Sequence, residues 1–200
     1  FDAPDADIIL RALGPPKRDF RVHKLILSLA SPVFKDMFSL PQPDEPTSDE
    51  SSVAKIEIVE VADPAHALYI VLRVIYPFTP PSYGGNLDTL VECLVIADKY
   101  EIKGAMSQLR SALLQSDVSQ SLRVYAIASR FGFANLAESA SRLILSSVRL
   151  TKIPKLPNDF EFVSATAYHQ LVRQRASYLE VAVEIIKQTP LKSRCYNCPG

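Results

Sequence analysis

The chain has few cysteines and no long apolar run. Three cysteines in 200 residues make a poor disulfide framework for a secreted protein. No stretch of about eighteen apolar residues occurs, so the sequence predicts no membrane span. No signal-peptide pattern precedes the first predicted strand. The sequence therefore predicts an intracellular protein, cytoplasmic or nuclear, and because it begins at Phe1 and not at Met, we expect a fragment of a longer protein.

The motifs of common enzyme classes are also missing. The sequence contains no G-x-S-x-G, no P-loop and no G-x-G-x-x-G, and its only adjacent glycines, Gly84 and Gly85, lie in a predicted loop. Cys93 could pair with a distant histidine as a nucleophile, but its neighbours Val91 and Leu94 favour a core position. The sequence thus predicts no enzyme, no catalytic residue and no cofactor.

One pair of cysteines has the spacing of metal ligands. Cys195 and Cys198 form a C-x-x-C near the end of the sequence, and such a pair can give two thiolates to zinc. A structural zinc site needs four ligands, so this pair is half of a site. Either the other half follows Gly200 in a longer protein, or the segment is a simple tail. We therefore assign no metal site and keep Cys195 and Cys198 as a candidate half site.

Charge is balanced over the whole chain but not along it. The formal net charge is zero, yet residues 1–100 hold nine bases and fifteen acids, and residues 101–200 hold thirteen bases and seven acids. The bases of the second half are scattered, without the stripe or the interleaved aromatic residues that nucleic-acid binding uses. The sequence therefore predicts a solvated basic face and no direct binding of nucleic acid.

The segment from Phe20 to Phe38 carries the most structural information. Phe20 and Val22 alternate as the end of a strand. A short helix follows that is apolar on nearly every side, and we expect such a helix to be buried between other elements. Its apolar residues are Leu25, Ile26, Leu27 and Leu29. Ser31 and Pro32 are then suited to the N-cap and the first position of a second helix.

This order of elements resembles the BTB/POZ domain. The first predicted strand opens with Asp5-Ala6-Asp7, and a later predicted helix ends in Ala97-Asp98-Lys99-Tyr100, as in that family. Six residues fall where the family places its helix-hairpin motif: His23, Lys24, Leu27, Ser31, Phe34 and Phe38. The resemblance covers about residues 5–115. It implies an α+β fold, in which a small β-sheet flanked by α-helices is followed by an all-α extension.

The resemblance and the positions of the prolines predict three regions. We assign residues 1–115 to a BTB/POZ domain, 116–190 to a helical extension and 191–200 to a C-terminal tail. The extension opens with a helix pair that resembles the start of the BACK region, which follows many BTB domains. Its last helix is predicted from Ser164 to Gln188, and Pro190 stops it.

The resemblance also implies an interface between two copies. In the family, an aspartate of the first strand and a basic residue of the hairpin motif meet in a charged pocket where two domains dimerise, and Asp7 and Lys24 stand at these positions. The alternative is a surface aspartate that caps the strand and a solvated lysine. Together with Leu25 and Leu29 of the apolar helix, these residues make up the predicted interface.

These implications predict a non-enzymatic protein–protein interaction module that homodimerises or acts as a scaffold for complexes. One alternative is a substrate adaptor of a cullin ubiquitin ligase, although this chain offers only Pro43-Asp44-Glu45 where cullin-binding relatives carry an apolar-x-Glu motif. Another is the dimerisation part of a transcriptional regulator. The proline-rich segments 40–54 and 76–81 are more like those of fungal BTB proteins than of animal ones.

Overall fold

The computed structural model of the protein describes residues 1–14, 16–40, 56–79, 86–147 and 155–188. The chain divides into two compact units, Phe1–Ser116 and Asp117–Gly200. The limits that were assigned above to the three regions of the sequence stay predictions. The two units are described separately below.

The first unit contains a three-stranded sheet with a mixed strand direction. Strand β1 (Ile8–Ala12) lies in the middle, antiparallel to β2 (Arg18–Val22) and parallel to β3 (Glu57–Val61). Successive side chains of a strand point to opposite faces of a sheet, and Ile8 and Leu10 are both fully buried. The sheet therefore turns one apolar face to the core of the unit.

Three helices of the described chain supply most of the remaining core of this unit. They are α3 (Ala65–Ile75), α4 (Leu87–Lys99) and α5 (Lys103–Leu114). Helix α4 packs against both of the others. Its N-terminus is capped by Asn86, whose side-chain oxygen accepts the Asp88 N–H at 2.9 Å. The fully buried side chains of these helices include Leu68, Leu72, Leu90, Leu94, Ile96 and Leu109.

Two short helices, α1 (Lys24–Ala30) and α2 (Pro32–Ser39), follow β2. Ser31 joins them, and its hydroxyl oxygen accepts the Phe34 N–H at 3.1 Å. Pro32 is the first residue of α2, where it leaves no N–H unpaired. The predicted N-cap at Ser31 is therefore confirmed.

The prediction that α1 is buried between other elements is wrong for the single chain. Leu27 is fully buried, but Leu25 and Leu29 are 69% and 81% exposed. Helix α1 is only seven residues long, and it packs against α2 and α3, which cover the side that carries Leu27. An apolar pattern indicates that a helix is stabilised when its apolar side chains are buried. It does not indicate how many sides of the helix are buried by residues of the same chain.

The second unit is helical throughout its described part. Its elements are a 3-10 turn at Val118–Gln120, α6 (Ser121–Arg130), α7 (Ala134–Ser147), a 3-10 segment at Asn158–Phe162 and α8 (Ala165–Gln188). Gly132 lies between α6 and α7 at φ +69°, a conformation that glycine adopts without strain. The sheet and helices of the first unit, followed by these helices, confirm the predicted α+β class with an all-α extension.

Candidate interaction surface

Among the described residues of the first unit, the most exposed large apolar side chains belong to helix α1. Leu25 and Leu29 are four residues apart, so their side chains lie on the same face of the helix. We call these two residues the leucine pair. Both were predicted as interface residues, and both are solvent-exposed in the single chain. An apolar face of this kind is the usual mark of a surface that meets another protein.

The N-terminus of α1 is held by Asp7. His23, at the N-cap, makes no side-chain capping bond, and Asp7 Oδ1 instead accepts the Lys24 N–H at 2.8 Å. The first N–H groups of a helix lack partners within the helix, so a carboxylate there stabilises the helix start. Asp7 is exposed, and it meets Lys24 through the backbone of that residue and not through its ammonium group.

The ammonium group of Lys24 pairs with a residue that the sequence did not indicate. Its Nζ donates to Glu57 Oε2 on β3 at 2.5 Å, and it lies 5.8 Å from the centre of the Phe38 ring. The Lys24 and Glu57 side chains both remain partly exposed, at about one-third or less. Screening by water therefore limits the stability gained from this ion pair to about 1 kcal/mol. Lys24 thus links the start of α1 to the edge strand β3.

His23 and Tyr76 fix the point where β2 turns into α1. The Tyr76 hydroxyl accepts the His23 N–H at 2.8 Å and lies 3.1 Å from Nδ1 of the same residue. On the other side of the ring, Nε2 is 3.4 Å from the exposed carboxylate of Asp5. Burial is the main reason why the pKa of Tyr76 is raised above its ordinary value. The tyrosine that follows α3 therefore holds the entry to α1.

A second polar cluster fixes the junction between α1 and α2. Asp63 is buried, and its carboxylate accepts the Tyr100 hydroxyl at 2.6 Å and the Lys99 ammonium at 2.9 Å. The Ser31 hydroxyl donates to the Tyr100 carbonyl at 2.5 Å. The Phe34 ring stacks on the Tyr100 ring with centroids 4.4 Å apart. The Asp-Lys-Tyr end of α4 thus positions the helices that present the leucine pair.

Burial raises the pKa of Tyr100 far above its ordinary value, and the hydrogen bond to Asp63 adds to the shift. The phenol therefore stays protonated and keeps donating to Asp63 at any ordinary pH. This cluster was not predicted from the sequence, since Lys99 and Tyr100 were known only as matches to the family pattern. The approach of Asp63 to them depends on how α3 and α4 pack, over a separation of 37 residues.

The sequence offered Cys93 and the pair of Cys195 and Cys198 as candidates for reactive chemistry. Cys93 is fully buried, and burial raises the pKa of its thiol to about 12, so the thiol is protonated. Within the described residues, no group of three or more histidine, cysteine, aspartate or glutamate side chains could hold a metal ion. Cys195, Cys198, Gly84 and Gly85 lie outside the described residues.

No helix in the described ranges is both long enough and apolar enough to cross a membrane.

A comparison with protein families identifies the family of the first unit. The family model described as the BTB/POZ domain matches residues 4–117. This range includes the leucine pair, Asp7, Lys24 and the cluster around Asp63. The comparison with curated proteins finds nothing that matches this chain.

Proposed function

Because this chain belongs to the BTB/POZ family, we propose that it is a non-enzymatic interaction module that homodimerises through the leucine pair. BTB domains mediate protein–protein interactions, often as dimers, and are generally not enzymes. The observation that carries the proposal is the exposure of Leu25 and Leu29 on a helix that buries Leu27 on its other side. The buried, protonated thiol of Cys93 supports the absence of catalysis.

The free energy gained by burying the leucine pair can be compared with the cost of association. Complete burial of a leucine contributes about 1.5–3 kcal/mol. Leu25 and Leu29 are 69% and 81% exposed, so about three-quarters of that gain is still available, and the four leucines of a symmetric dimer would contribute roughly 5–9 kcal/mol. Association costs about 4–15 kcal/mol in lost freedom. The free energy gained by burying the leucine pair is therefore about equal to the cost of association, and the residues around the pair determine the affinity of the dimer.

The rim of this interface is available next to the leucine pair. Lys24 belongs to the same helix, Asp7 bonds to its first N–H, and Leu40, just after α2, is largely exposed. A standard interface buries about 800 Å² on each partner. Each partner of a two-fold symmetric dimer contributes this helix and its flanks once, so the leucine pair supplies the centre of such an area and the residues around it supply the remainder.

The finer functional alternatives rest on residues that the structure does not describe. The weak cullin motif Pro43-Asp44-Glu45 lies outside the described residues, so docking to a cullin scaffold stays a prediction. The same holds for a role within a transcriptional regulator, for an intracellular location and for a fungal origin. The absence of nucleic-acid binding also stays a prediction.

The test is the oligomeric state of the whole chain in sedimentation velocity at about 50 µM, where a dimer with a micromolar Kd is assembled. Leu29→Lys places a charge in the centre of the proposed interface and should give a monomer. Leu114→Lys is the matched control, because Leu114 is also a leucine on a helix and is 58% exposed. It should leave the dimer intact. A monomeric wild-type chain, or equal behaviour of the two variants, would contradict the proposal.

A further inference from the structure

Helix α8 is the least covered of the three α-helices in the described part of the second unit. Of its 24 residues only Leu171 is buried. Its first turns are held in place, since the Tyr125 hydroxyl donates to the Ala167 carbonyl at 2.8 Å and the Phe160 ring meets the Tyr168 ring edge-on. Beyond these turns the helix continues with large apolar side chains that are all substantially exposed: Tyr178, Leu179, Val181, Val183, Ile185 and Ile186.

Part of this apolar surface follows a heptad pattern. Five positions are separated by alternating steps of four and three residues: Val172, Ala176, Leu179, Val183 and Ile186. We call them the α8 seam. In heptad notation Ala176 and Val183 occupy a positions, while Val172, Leu179 and Ile186 occupy d positions. All five are exposed, so the chain itself leaves the seam uncovered.

The seam points away from the helix that packs against α8. A cavity of about 780 Å³ separates α7 and α8, and four of the α8 residues that line it are Gln170, Gln174, Ser177 and Val181. An α-helix turns by about 100° per residue. On that basis the seam is centred almost opposite these four residues. Helix α7 therefore lies on the opposite side of α8 from the seam, and it leaves that side partly open as well, since Val181 is 59% exposed.

The charges beside the seam are self-complementary. Arg175 occupies a g position and Glu180 the following e position, five residues later. In a parallel pair of helices, a g residue of one chain meets that e residue of the other. A dimer of this helix would therefore form two equivalent Arg175–Glu180 pairs. Within a parallel coiled coil, a β-branched residue at a, such as Val183, together with leucine at d, such as Leu179, favours two strands.

We propose that α8 pairs in parallel with α8 of a second copy of this chain through the seam. This inference rests on the proposed function, because a seam of about two heptads is too short to hold two chains together unaided. When the first units dimerise, the second pairing becomes intramolecular, at an effective concentration of about millimolar. The seam then adds to the affinity of an existing dimer and fixes its orientation.

The experiment compares adjacent isoleucines in the whole chain. Ile186 lies in the seam and is 70% exposed, whereas Ile185 lies beside it and is 59% exposed. In sedimentation equilibrium, Ile186→Lys should raise the dimer Kd by about tenfold and Ile185→Lys by less than about twofold. Equal values for the two variants would overturn the pairing. Circular dichroism of both variants should show the wild-type helix content.

The Leu29→Lys variant separates this inference from the proposed function. If Leu29→Lys gives a monomer and Ile186→Lys leaves the Kd unchanged, the seam is refuted and the proposed function stands. If only Ile186→Lys weakens the dimer, the leucine pair is refuted, and the seam adds to a dimer that another surface of the chain holds together. A wild-type chain that is monomeric at about 50 µM would overturn both.

The orientation is tested by reversing charges. Arg175→Glu and Glu180→Arg should each weaken self-association, because like charges then face each other in the parallel homodimer. An equal mixture of the two variants should regain the wild-type affinity, since the mixed dimer has opposite charges at both pairs. If the mixture associates no better than the separate variants, the parallel pairing is wrong.

Discussion

The capping bond of Asp7 predicts a measurable loss of stability in Asp7→Ala. The change removes the acceptor of the Lys24 N–H, and His23 offers no side-chain replacement. Removal of a helix cap costs about 0.5–2 kcal/mol. Asp7 is exposed, so water can reach the freed N–H, and we expect the lower half of that range, about 0.5–1 kcal/mol.

Two measurements can detect the loss of stability in Asp7→Ala. Urea unfolding should show the lower free energy of unfolding for the variant. Amide hydrogen exchange should show the cause, because the Lys24 N–H should exchange roughly 2–5 times faster if its protection falls by that amount. Asp5→Ala is the control: Asp5 is highly exposed and only its contact with His23 is lost, so its effect should stay below about 0.5 kcal/mol. Equal stabilities and unchanged exchange at Lys24 would refute the reasoning.

Asp7→Asn separates capping from a role between chains. Asparagine caps helices about as well as aspartate, so its amide oxygen can accept the same Lys24 N–H and the chain should fold with nearly unchanged stability. The negative charge is lost. If a charged pocket forms around Asp7 in the dimer, as the family resemblance implies, Asp7→Asn should weaken dimerisation more than Asp5→Asn while both variants unfold alike. Equal dimer affinities would leave Asp7 with the capping role alone.

Much of the local structure was predictable because its causes are local. Alternating apolar residues predicted the end of β2, and helical spacing together with a proline stop predicted α8 nearly to its ends. Ser31 followed by Pro32 predicted the start of α2. These signals depend on residues within one or two turns of each other, so a single sequence contains them.

The partners of the charged residues could not be predicted in the same way. Lys24 pairs with Glu57 because β3 lies parallel to β1, with Glu57 beside Ile8. That register brings together residues 33 positions apart, and nothing near Lys24 in the sequence indicates it. The exposure of the leucine pair has a similar origin. The number of apolar residues in α1 indicated that burial would stabilise this helix. The packing of α2 and α3 against it determines which of its sides remains exposed.

The remaining predictions concern the cluster around Asp63 and the pH dependence of stability. Asp63→Ala should leave the buried Tyr100 hydroxyl without its acceptor and cost about 1–3 kcal/mol in urea unfolding. The double variant with Tyr100→Phe should cost less than the sum of the two single changes, because both remove the same hydrogen bond. Additive costs would show that this hydrogen bond contributes nothing to stability. For pH, burial raises the pKa of Tyr100 above the value near 10 that the unfolded chain has, so above about pH 10 the unfolded chain releases a proton that the folded chain retains. The contribution is complete below pH 10 and is lost as the pH rises further, at up to about 1.4 kcal/mol per pH unit. Cys93, with its pKa raised from 9.0 to about 12, adds a loss of the same sign between these values. Unfolding curves from pH 8 to about pH 11 should therefore slope downwards in the wild type and less steeply in Tyr100→Phe, whereas an equal slope in both would mean that the Tyr100 phenol titrates in the folded chain as it does in water.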